Sequence, residues 1–111
     1  PAMARVVALV PDLMLASRVE GSLRAAGHEV TVRGAPADGD ADADLIVADL
    51  EAAGDPAALV AIGPPTLGFY SHVDVETRRR AEEAGFDLVV PRSRMARELP
   101  QLAERLLSSS R

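Results

Sequence analysis

The sequence predicts a single α/β domain in which helices cover both faces of a parallel sheet. Three observations carry the prediction. Short apolar runs of strand length alternate with stretches whose apolar residues recur at helical spacing, the pattern that gives parallel strands joined by right-handed crossovers. The 111 residues suit one compact domain, and 48% hydrophobic residues suffice for one core. Glycine, proline and acidic residues fall between the runs, where turns and helix caps are needed. The domain is expected to span residues 3 to 108. Pro1 and Ala2 precede Met3 and read as remnants of cloning, and the serine-rich end, 109 to 111, reads as a frayed tail.

The elements follow in order. Arg5-Val6-Val7-Ala8-Leu9-Val10 is continuously apolar after its arginine, as in a strand covered on both faces. Leu15, Val19, Leu23 and Ala26 give helical spacing from Leu13 to Ala26, with Gly27 placed to end the helix. Residues His28 to Arg33 alternate Val30 and Val32 with polar residues, predicting a strand with one wetter face. Residues 34 to 43 have too few large apolar side chains for an amphipathic helix and are expected to be a loop. Asp44 to Asp49 is a buried strand flanked by acids. A short helix starting at Pro56 runs to Ile62, stopped by Gly63-Pro64-Pro65. Thr66 to Tyr70 forms a fourth strand, and Asp74 caps a helix from Val75 to Ala84 that closes at Gly85. Phe86 to Val90 is the fifth strand. Ser93 is expected to cap a last helical stretch, which Pro100 splits so that the main helix carries Leu102, Leu106 and Leu107.

Composition narrows the function classes. There are no cysteines, which excludes disulfides, thiolate metal sites and cysteine nucleophiles. No run approaches the roughly 20 apolar residues that cross a bilayer and no signal-peptide pattern opens the chain, so a soluble, cytoplasmic protein without membrane contact is expected. A net charge of -5 argues against binding nucleic acid, whose phosphates call for a basic surface. All 12 basic residues are arginine. Eight of them lie beyond residue 60, which makes the C-terminal half the expected docking side for an acidic partner. Glycine-rich phosphate loops, dinucleotide fingerprints and paired-histidine motifs are missing, so neither an organic cofactor nor an enzymatic role is expected.

In open parallel sheets ligands gather at the carboxyl ends of the strands. Those ends are Pro11-Asp12, Asp49, Ser71-His72 and Pro91-Arg92. Ser71 and His72 are adjacent and point to opposite sides, which disfavours a nucleophile and base pair. His72 is placed on the pocket rim, and His28, at the far end of the sheet, as a solvated turn residue.

These four ends resemble those of response-regulator receiver domains over nearly the whole chain. Asp-Leu-Ile-Val-Ala-Asp-Leu at 44 to 50 resembles the receiver strand whose terminal aspartate accepts phosphate from a histidine kinase, which makes Asp49 the phosphoacceptor candidate. Ser71 matches the hydroxyl residue that holds the phosphoryl group. Counted without a gap from Gly85, the receiver's lysine falls on Arg92; matching Pro91 to the proline that follows it leaves no basic residue there. The resemblance implies a three-layer, flavodoxin-like fold with five parallel strands in the order 2-1-3-4-5 and helices on both faces, from which this chain departs in having its second helix reduced or absent. Departures from the pattern make it degenerate. A single acid, Asp12, stands where receivers carry two for Mg²⁺, and Val89 stands where an aromatic residue is expected.

The leading expectation is a stand-alone pseudo-receiver that binds a protein partner, with phosphorylation lost or vestigial and no cofactor. The alternative is a single-domain response regulator phosphorylated on Asp49 by a histidine kinase, with Ser71 and Arg92 holding the phosphoryl group and Mg²⁺ bound weakly by Asp12 and Asp49. In the bland reading Asp12 only caps a helix. Partner-binding candidates are Arg78, Arg79, Arg80, Arg94 and Arg97; their alternative is a solvated face paired with nearby glutamates. A third expectation is a homodimer formed through an apolar patch at Val30 and Val32, where the missing helix leaves the sheet uncovered.

Overall fold

A computed structural model of the chain describes residues 3–71 and 73–109. Along it run β1 (Arg5–Leu9), α1 (Leu13–Ala25), β2 (Glu29–Arg33), β3 (Leu45–Asp49), α2 (Pro56–Val60), β4 (Thr66–Tyr70), α3 (Val75–Ala84), β5 (Leu88–Pro91) and α4 (Arg92–Ser109). The strands form one parallel sheet in the order β2-β1-β3-β4-β5, as expected from the sequence. Successive strand residues face opposite sides, so every strand except the edge strand β2 feeds two cores. Val6, Ala8, Leu45, Val47, Leu67 and Phe69 pack under α1 and α4. Val7, Leu9, Ile46, Ala48 and Tyr70 pack under α2 and α3 with Leu59, Ala81 and Phe86. No helix among the described residues is long and apolar enough to cross a membrane.

Between β2 and β3 the second helix is replaced by a single 3-10 turn, Asp40–Asp42. The segment is more ordered than a solvated loop. Asp40 is 2% exposed, paired with the Arg33 guanidinium, and its other carboxylate oxygen accepts the Ala37 amide at 2.8 Å. The apolar patch expected at Val30 and Val32 is not formed. Both valines face the α1 side, where Val30 is buried and Val32 packs partly against the same core. The opposite side of β2 shows the alternate residues, with Glu29 and Thr31 exposed, so the structural premise for that homodimer falls.

The final helix corrects another expectation. α4 begins at Arg92, directly after β5, and runs unbroken through Pro100, so Ser93 lies inside the helix. Proline removes one backbone hydrogen bond, but Met95, Leu99, Leu102, Ala103 and Leu106 form one continuous buried face that spans it. The residue losing its partner, Ala96, is exposed, where water can serve its carbonyl. β5 starts two residues later than expected. The Phe86 amide closes α3 on the Ala81 carbonyl, and the Asp87 carboxylate accepts the Thr66 amide at 2.8 Å, tying down the start of β4. His28 is half-buried and its Nδ1 accepts the Ala4 amide, which makes it a strut under β1, not a solvated turn residue.

Candidate functional site

Register brings the predicted residues together. Leu9 pairs with Ala48, Asp49 with Phe69 and Tyr70 with Pro91, so β1, β3, β4 and β5 end at nearly one level. Asp49 closes β3 and is 4% exposed. Its Oδ1 accepts the Glu51 amide at 3.0 Å, and its main-chain carbonyl accepts the amides of Ala52 and Ala53, which folds the chain back at once.

Leu50 sits in the middle of this turn and lies over β4. A methyl group built on Gly68 would meet the Leu50 side chain at 2.8 Å. The absence of a side chain at position 68 thus makes room for Leu50, whose amide also donates to the Phe69 carbonyl at 3.0 Å. The turn is pinned on both sides of Asp49.

Arg92 reaches this turn from the start of α4. Its Nη2 lies 4.0 Å from Asp49 Oδ2 and 3.9 Å from Glu51 Oε1, and its side chain is 49% exposed. These are ion-pair separations beyond hydrogen-bond reach. Glu51 Oε1 also accepts the Ser71 amide at 3.1 Å. Asp49, Ser71 and Arg92 therefore do converge, and the hub joining them, Glu51, was not among the predicted residues. No local pattern marks it, because Glu51 lies in the turn beyond β3, where strand alternation no longer applies.

Asp12 caps α1, its Oδ1 accepting the Leu15 amide at 2.9 Å, which is the bland role foreseen for it. Asp74 caps α3 in the same way. The Thr77 hydroxyl at 2.6 Å and amide at 3.1 Å hold the Asp74 carboxyl below its ordinary range. Val89, at the position where receivers carry an aromatic residue, packs half-buried against the α2 and α3 core.

The remaining candidates lie elsewhere. Arg78 pairs with Glu82, and Arg79 with Glu76 and Glu83, all on α3. Arg94 and Arg97 both pair with Glu98 on α4. Arg80 stands apart from these pairs and lines a shallow hollow with Glu51, Asp55 and Asp74. His72, expected on the pocket rim, lies outside the described residues.

No family model matches the chain, and no curated protein sequence matches it. Solved structures do. The chain superposes on NtrX from Brucella abortus with a TM-score of 0.79 at 20% identity, covering 97% of this chain and 27% of that one. Against the non-phosphorylated HemR receiver domain of Leptospira biflexa the TM-score is 0.77 at 20% identity, covering 97% of each chain. Against the Vibrio cholerae chemotaxis protein CheY4 it is 0.72 at 18% identity, covering 95% of this chain and 99% of that one. The chain thus spans about a quarter of the NtrX protein and nearly all of the two shorter chains. What is shared at these identities is the receiver fold.

Proposed function

We propose that this chain is a receiver-fold signalling module, one domain over residues 3 to 108, that works in the cytoplasm by binding a protein partner and is not an enzyme, with aspartyl phosphorylation lost or vestigial. The observation that supports this most is the place of Arg92. A guanidinium stands about 4 Å from both Asp49 and Glu51 and offsets their charge from within the chain. Phosphoryl transfer to a carboxylate calls for a divalent cation against the phosphoryl oxygens, and no group of three or more acidic or histidine side chains among the described residues is placed to hold one. Asp12 is engaged in capping α1, Asp49 accepts an amide and faces the arginine, and Glu51 accepts the Ser71 amide. A hard cation that keeps several waters and wants octahedral oxygen ligands would share Asp49 with the repelling guanidinium.

The nearness of Arg92 to Asp49, with Ser71 held beside them through Glu51, favours the second reading, a response regulator phosphorylated on Asp49 with Mg²⁺. Backbone NMR during titration with Mg²⁺ and then beryllofluoride separates the two. The first reading expects no saturable shifts. Saturable shifts around Asp12 and Asp49 that vanish in Asp49→Ala would overturn it in favour of phosphorylation.

A further inference from the structure

Where α1 packs beside α4, a groove of about 600 Å³ opens next to the site just described, sharing Ser71 and Arg92 with it. Its floor is apolar: Val19, Met95 and Leu99 are buried there, and Leu15 is half-buried. Among the described residues its charged lining consists of Arg18 and Arg92 and includes no acid, although the chain as a whole carries a net charge of -5. Arg18 is exposed and its guanidinium has no ion-pair partner among the described residues, unlike Arg78, Arg79, Arg94 and Arg97.

Size, floor and charge select the same class of occupant. A cleft of this volume lined by apolar side chains, with few polar groups converging on it, is the form small-molecule sites take. Arg18 has no ion-pair partner among the described residues and Arg92 only loose ones, so an anionic head group gains from both guanidinium groups, whereas a cation would be repelled by them. We propose that the groove binds a small amphiphilic anion, an apolar body carrying one anionic head group, with Arg18 and Arg92 as its head-group ligands. Arg92 then makes groove and site one unit. Its pairs with Asp49 and Glu51 are loose, so an anion in the groove draws the guanidinium toward itself and leaves the two carboxylates less neutralised. The ligand would thereby set the charge of the surface that a partner meets. This inference goes beyond the partner-binding reading above and stands whether or not Asp49 accepts phosphate.

The test uses decanoate, with decanol as the same tail without charge and acetate as the charge without a tail. Titration into the isotope-labelled chain, followed by backbone NMR, is expected to give saturable shifts at Leu15, Val19, Ser22 and Leu99 and, in the same titration, at Asp49 and Glu51. Decanol should bind at least about tenfold more weakly and acetate not at all. Arg18→Gln and Arg92→Gln, both at exposed positions, should each weaken decanoate by about tenfold and leave decanol unchanged. Equal affinity for decanoate and decanol, or shifts that fail to saturate and spread over the exposed Leu13, Met14, Val73 and Val75, would overturn the site. Saturable groove shifts without any at Asp49 and Glu51 would overturn the coupling through Arg92.

Discussion

Asp40 beside β2 and Asp49 at the end of β3 are the two buried acids among the described residues, and each faces one arginine and one backbone amide. At Asp40 both carboxylate oxygens are taken, one by direct contact with Arg33 and the other by the Ala37 amide. At Asp49 one oxygen accepts the Glu51 amide, while the other looks across 4.0 Å at an arginine that is half exposed and shared with Glu51. The same two residue types thus make a latch in one place and an adjustable pair in the other. Closed geometry fixes a segment that has no helix to hold it. Open geometry leaves Arg92 able to answer a ligand or partner at little structural cost.

The comparison breaks first on stability. Arg33→Met strands a buried carboxylate and should lower unfolding free energy by about 2–3 kcal/mol, less than for a fully buried pair because Arg33 is one-third exposed. Arg92→Met should cost no more than about 1 kcal/mol. Denaturant unfolding of both variants checks this, and equal losses would mean that the pairs are built alike. Gly68→Ala presses on Leu50 and should cost about 1–3 kcal/mol by overpacking, with amide shifts changing at Asp49 and Glu51 but not at Ala37 or Asp40. Asp12→Ala should cost about 1 kcal/mol as a lost cap, and Asp12→Asn should restore most of it. If asparagine does no better than alanine, the charge of Asp12 belongs to the open pair and not merely to α1.

The smallest effect is one of pH. Asp74 has its carboxyl held below the ordinary value of 3.8, so its contribution to stability is present in full above that value and is lost as pH falls through the lower folded value. The stability difference between the parent chain and Asp74→Ala should therefore shrink on acidification below about pH 4 and stay flat from pH 5 to 7. Thermal melts at a series of pH values would show it, and a gap that widens in acid would contradict the Thr77 hydrogen bonds as its cause.

Much of this was legible in the sequence because it is written in local pattern. The apolar runs of β1, β3 and β4 located the sheet, and Asp49 stood out as an acid closing such a run. Asp74 and Gly85 marked the ends of α3 because capping chemistry is local. What stayed hidden depends on the third dimension. Of Asp38, Asp40, Asp42 and Asp44 only Asp40 is buried, and nothing in an acid-rich stretch without period singles it out. Glu51 joins the site from a turn whose course depends on Leu50 fitting over Gly68, a contact between segments far apart in sequence. Pro100 misled because its local cost is certain, whereas the apolar face that outweighs it exists only once α4 lies on the sheet.

The order of the strands also decides how this chain meets other sheets. β2 and β5 are the edges, each with one row of backbone groups left without a neighbouring strand. β2 has five residues with Glu29 and Arg33 at its two ends, and β5 has four and finishes at Pro91, which has no N–H to offer. Short edges that end in charge or proline are poor templates for a strand from another chain. Continuing the sheet into a fibre or a strand-exchanged pair is thereby discouraged, which turns recognition toward side chains: the helix faces and the ring of residues around Asp49.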